Sequence, residues 1–191
     1  MRRLAIAAAF VLAAGCGGGG ERAEVPTTAP AAAPADLYEL ADVCGSGRGF
    51  TDLAAFEAGP GPHPIVLFDG LEDDPHAWLY SSLSLPDGWS SDDLTSVELA
   101  GCVSQLSTEP TGTTCEFDAD GHTVTLELTD ATYQVRVVEA ATGDPVATRT
   151  VTASEAGECP MFASIAPGAT QYVSHRTTDA LVASLTDLVD P

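Results

Sequence analysis

The sequence predicts an α+β domain, mainly an antiparallel sheet with a short helix before it and an amphipathic helix after it. Three observations carry that reading. Between residues 97 and 152 apolar and polar residues alternate with the period of two that gives a strand one dry and one wet face, as in Val124, Leu126 and Leu128 against Thr125, Glu127 and Thr129. Turn chemistry punctuates that stretch at Asp120-Gly121 and at Thr142-Gly143-Asp144-Pro145. Beyond it, Leu181, Leu185 and Leu188 recur at helical spacing with Val182 and Val189 beside them.

In chain order, Asp36 is an N-cap, because its carboxylate reaches an N–H that the first helical turn leaves unpartnered. Leu37, Leu40, Ala41 and Cys44 then share one face of a short helix, and the glycines of residues 45–49 end it by supplying positive φ. Thr51-Asp52 reads as a second cap leading a brief turn of helix through Phe56, stopped by Gly59-Pro60-Gly61-Pro62. Residues 64–68 are a short apolar run bounded by turn residues, the pattern of a buried strand. Residues 70–93 read as irregular, with edge strands at 78–80 and 82–85 between Pro-containing turns. The sheet follows as a meander of about five strands, at 97–103, 113–117, 122–128, 133–137 and 146–152. Thr177 or Thr178 caps the last helix, Asp179 suits the positive end of its dipole, and the helices are expected on one side of the sheet.

The N-terminus gives an address. Met1-Arg2-Arg3 is cationic, residues 4–14 are apolar, and small residues lead to Cys16. A bilayer-spanning helix takes about 20 apolar residues, and this run stops at Gly15 before four more glycines from position 17. The stretch resembles the bacterial lipobox, with Ala13 where that motif more often has Leu. The resemblance implies a signal peptide over residues 1–15, lipid on Cys16, a Gly/Pro/Ala-rich tether over 16–35 and one acidic globular domain over 36–191, on the extracytoplasmic side of the cell membrane or envelope. Each buried methylene of the lipid contributes about 0.8 kcal/mol, so the two chains of a diacylglyceryl group anchor stably. Extended, the tether reaches about 50 Å.

The chain carries 28 acids against 7 bases and no lysine, a net charge of −21. Loss of Arg2 and Arg3 with the signal, and of no acid, takes it to −23. Such a surface repels phosphate backbones, which argues against nucleic-acid binding and leaves cations and basic proteins as the partners it attracts.

Apart from Cys16, the cysteines are Cys44, Cys102, Cys115 and Cys159, none in a C-x-x-C pair, so disulfides are favoured over zinc in an exported chain. A hairpin joining the strands of Cys102 and Cys115 would pair those two and leave Cys44 for Cys159, with the longer loop contributing about 5 kcal/mol and the shorter about 3. Leu85-Pro86-Asp87-Gly88-Trp89, residues 97–103 with their cysteine, residues 137–143 and Cys159-Pro160 together look like a recurring domain of exported proteins from high-GC bacteria. That resemblance implies a disulfide-bearing β-rich domain and no chemistry.

Asp118-x-Asp120-Gly121 opens like a calcium loop, but Glu127 falls at position ten of it rather than twelve, and the intervening residues alternate as a strand. It reads as a hairpin turn. Glu72, Asp73, Asp74, Asp92 and Asp93 have the hard oxygens a divalent cation takes, yet loop acids are most simply solvated. No G-x-S-x-G elbow occurs, and Ser46, His63, His76, His122 and His175 fall in no catalytic spacing. Residues 45–49 lack the lysine of a phosphate cradle. Trp78, Tyr80 and Trp89 are candidates for a ligand cleft, although in a chain with 6% aromatics they serve the core first. The function expected is a lipid-anchored envelope module that binds without catalysis, with no catalytic residue, metal or cofactor assigned. An envelope hydrolase assembled from dispersed residues and a calcium-dependent module are the alternatives.

Overall fold

The computed structural model describes residues 31–71, 74–119 and 121–191. Cys16, the expected signal peptide over residues 1–15 and most of the expected tether over 16–35 lie outside the described residues, as do Glu72, Asp73 and Asp120.

The described residues form a mixed six-stranded sheet with helices on both faces. Two four-residue helices, α1 (Leu37–Leu40) and α2 (Asp42–Gly45), precede β1 (Ile65–Leu71) and β2 (Asp74–Tyr80). A 3-10 turn at Leu94–Ser96 leads into β3 (Leu99–Ala119) and β4 (His122–Glu139), followed by β5 (Pro145–Ala153), β6 (Gln171–Val173) and α3 (Thr178–Val189). The strand order is β2-β1-β3-β4-β5, with β6 alongside β4.

Local chemistry sets the helix starts. Asp36 accepts from the Glu39 N–H at 2.9 Å while the Glu39 carboxylate accepts from the Ala35 N–H at 2.7 Å, a reciprocal cap. Thr177 accepts from the Ala180 N–H at 3.1 Å and starts α3 where the sequence places it. Leu181, Leu185 and Val189 of α3 pack with Ile65, Leu67, Leu99, Tyr133, Val135 and Val137 on one sheet face. Leu40, Val43 and Cys44 pack with Val66, Phe68, Ala100, Cys102 and Val138 on the other. The helices therefore lie on opposite sides, correcting the one-sided arrangement, because alternate residues of β1, β3 and β4 are apolar on both faces and each face needs a cover.

The purely antiparallel meander is also corrected. β1 pairs with β3 in parallel, from Ile65↔Leu99 to Asp69↔Val103, and β6 pairs with β4 in parallel. The reason lies in residues 81–98, which leave β2 beside the start of β1 and hop over it, burying Trp89 on the way, to begin β3 on its other side. This crossover satisfies the long connection that parallel strands require. Residues 78–80 are an edge strand as expected, within β2, whereas 82–85 and the expected helical turn through Phe56 are irregular.

The strands read at 97–103 and 113–117 are one strand, β3, and those at 122–128 and 133–137 are one strand, β4. Glu109-Pro110-Thr111-Gly112 has the composition of a turn, but β3 takes it up as an irregularity between Pro110 and Thr114 and continues. Bulges tolerate Pro because no ladder N–H is needed there. The Asp118–Gly121 hairpin forms as read, with Ala119 opposite His122 and Asp118 accepting from the Gly121 N–H at 3.1 Å.

All four cysteines among the described residues form disulfides, with partners exchanged relative to the expectation. Cys44 bonds Cys102 and Cys115 bonds Cys159, with Cα separations of 5.5 and 5.6 Å. Cys102 and Cys115 stand on the same strand, where a rise of about 3.3 Å per residue holds them far beyond bonding distance. The first bond straps α2 to the sheet. The second pins the segment after β5 over the far half of the β3–β4 hairpin, where Phe117, Leu126 and Leu128 form a satellite core with Ile165 and Tyr172.

Candidate functional site

On the face that carries α1 and α2, the helices cover only part of the sheet. The rest is an open trough of about 550 Å³. Its floor comes from the central strands, where Ser104 stands opposite Gln134 and Cys102 opposite Arg136. Gly70 and Leu71 of β1 and Trp78 of β2 form one wall, and Gln105 completes the lining.

Trp78 lies against two glycines. A Cβ at Gly70 would come within 3.2 Å of Trp78 Cζ3, and one at Gly45 within 3.4 Å of its Cδ1 and 3.1 Å of the His76 carbonyl. The indole therefore spans from β1 to the end of α2; a Cβ at Gly70 would crowd it by a few tenths of an ångström, and one at Gly45 would meet it in ordinary contact while crowding the His76 carbonyl. Its Nε1 is shielded from solvent and has no hydrogen-bond partner among the described residues.

Arg136 donates from Nη2 to the Cys44 carbonyl at 2.6 Å. That carbonyl belongs to the last turn of α2, whose oxygens find no partner within the helix. The Cys44–Cys102 bond fixes it beside the trough. Burial pushes the Arg136 pKa down, but a guanidinium starts so far above neutrality that it stays a cation. Of the four arginines among the described residues, Arg48 faces Glu39 and Asp42, Arg149 faces Asp187, and Arg176 pairs with Asp69. Arg136 faces no carboxylate among the described residues.

No Asp or Glu lines the trough among the described residues, in a chain with 28 of them. Matched against protein-family models, curated proteins and solved structures, the chain finds no counterpart. The trough presents a fixed cation, a hydroxyl and two amides beside an indole and a leucine, on a floor of paired central strands.

The three aromatic residues read from the sequence do not converge. Trp78 lines the trough, Tyr80 lines a separate groove of about 540 Å³ with Tyr38, Leu83 and Leu85, and Trp89 is buried in the core under α3. The four histidines are dispersed: His76 on β2, His122 at the β3–β4 hairpin and His175 after β6 are exposed, and His63 is buried before β1. His63 contacts Glu98 through Nδ1 at 2.6 Å and the Gly59 carbonyl through Nε2 at 3.0 Å, so neither nitrogen is left to activate a serine.

Two of the acids read as cation ligands, Asp93 and Asp118, have local duties. Asp93 caps the 3-10 turn by accepting from the N–H and the hydroxyl of Thr95, and those bonds hold its carboxyl below the usual range. Asp118 closes the hairpin turn. Among the described residues no three His, Cys, Asp or Glu side chains gather closely enough to hold a metal ion.

Sequence reasoning passed over Ser104, Gln134 and Arg136. A signal existed: Arg136 is one of few cations in the chain, and it sits on the polar face of the alternation set by Tyr133, Val135 and Val137 with no acid two residues away on either side.

Proposed function

We propose that this chain is a non-catalytic binding module of the cell envelope, tethered by lipid on Cys16 through residues 16–35 and presenting the trough between β2 and β4 to a small ligand. The trough, lined by no acid among the described residues and holding an Arg136 that faces no carboxylate among them, carries the reading, because donors held on central strands of a sheet are already in place before a ligand arrives. The volume lies within the range of small-molecule sites. Dispersed histidines, with both nitrogens of His63 engaged, support binding over hydrolysis. The anchor rests on residues 1–16 of the sequence.

A fragment screen by proton–nitrogen correlation NMR tests the binding half. Hits are expected to move the Trp78 indole and the backbone signals of Ser104, Gln134 and Arg136 together. Hits that gather elsewhere and leave the trough untouched would overturn it. For the anchor, Cys16→Ala is expected to release the protein from the membrane fraction or leave it as precursor, and lipid-dependent retention of that variant would sink the lipoprotein reading.

A further inference from the structure

We infer that the trough takes an amphipathic anion: a carboxylate or phosphate group received by Arg136, on a flat apolar body laid against Trp78. This rests on the trough being the binding site and names the chemistry it selects. Arg136 is partly buried with no counter-charge facing it among the described residues. Withdrawing a cation from water unpaired is costly, and an arriving oxyanion returns what burial removed. The downward push on its pKa has the same origin. One Nη2 bond goes to the Cys44 carbonyl, and a guanidinium has five N–H donors, so donors remain for a ligand. Ser104, Gln105 and Gln134 add neutral groups that donate as readily as they accept.

The apolar half follows from the wall. Trp78 and Leu71 stand on the β1–β2 side, and the indole is half-buried, packed against the core cluster of this face and lying close to Gly70 and Gly45 before any ligand is present. A planar group placed there loses little freedom and gains contact with a rigid ring. Cations are excluded from this place by the same arginine, although the rest of so acidic a surface attracts them. The trough and the remaining surface thus select ligands of opposite sign.

Trp78 and Trp89 are the two tryptophans of the chain, so two indole N–H resonances report on the trough and the core separately, and Trp78→Phe assigns them. The probes are phenylacetate, phenyl phosphate and neutral phenylacetamide, titrated at fixed ionic strength and neutral pH. The Trp78 resonance is expected to move with one or both anions and the Trp89 resonance to stay. Loss of a charged hydrogen bond is expected to make phenylacetamide about tenfold weaker. Arg136→Gln should bring the anions to the amide's level. Because Arg136 also holds the Cys44 carbonyl, Thr148→Glu is the second variant: Thr148 is an exposed residue of β5 opposite Arg136 and outside the trough's lining, so the new acid offers the guanidinium a competing counter-charge and should weaken the anions by about tenfold while sparing the amide. Which anion binds better decides between the two headgroups. Equal binding of amide and anions would overturn the ligand class and leave the binding site standing, whereas a Trp78 resonance unmoved by every probe would remove both.

Discussion

His63 joins three parts of the chain. Its imidazole bridges Glu98 before β3 and the Gly59 carbonyl, its backbone N–H donates to the Val189 carbonyl at the end of α3 at 2.7 Å, and Phe56 packs edge-on against the ring. Both ring nitrogens face acceptors, and only the imidazolium donates from both. Burial by itself lowers the pKa, but the bonds to Gly59 and Glu98 and the Glu98 charge outweigh it, and the net shift is upward. A raised folded-state pKa contributes stability that is complete below the unfolded value of about 6.5 and is lost as pH rises through the folded value. The unfolding free energies of the wild type and His63→Gln from urea titration should therefore differ by about 1.5 kcal/mol more at a pH near 6 than at about pH 9, the size of a charged hydrogen bond. A gap independent of pH would show that the ring is neutral throughout. His63 itself was visible in the sequence as one of four histidines, but its partner lies 35 positions away and nothing local marks it.

At the scale of elements, the helix ends and the β3–β4 hairpin were legible because their chemistry is local. Asp36 and Thr177 find their N–H partners three residues on, and Asp118 and Gly121 meet across one turn. The strand count was not legible, since Glu109-Pro110-Thr111-Gly112 carries a turn's composition whether the chain reverses there or bulges and runs on. The disulfide partners depend on the same point, because Cys102 and Cys115 share one strand. With the observed partners the two loops are similar, at separations of 58 and 44 residues, so each bond should contribute about 4 kcal/mol in the chain-entropy model. The double variants Cys44→Ala/Cys102→Ala and Cys115→Ala/Cys159→Ala are expected to lose comparable stability in urea unfolding. They should differ at the trough, where only the first releases the carbonyl that Arg136 holds and so shifts the Trp78 indole resonance. An equal shift in both would mean that the Cys44–Cys102 strap does not position Arg136.

Across the whole molecule, charge is the dominant feature. Three of the four described arginines are spent on ion pairs with Glu39, Asp42, Asp69 and Asp187, which leaves most of the 28 acids without a basic partner and the folded surface repelling itself. The melting temperature is expected to rise between dilute buffer and about 0.5 M sodium chloride, over which the Debye length falls to a few ångströms. A flat response would indicate that bound cations already neutralise the surface. The sequence by itself determined the net charge, the α+β class, the apolar periodicity and the capped ends of the first and last helices, because each depends on composition or on residues a few positions apart. Only the tertiary structure decided the parallel pairing of β1 with β3, the placement of helices on both faces, the disulfide partners and the meeting of Trp78 with Arg136. Backbone hydrogen bonds are nearly the same for any pair of strands, so strand order follows from which arrangement buries every apolar face at once, a condition met by the whole chain and by no segment of it.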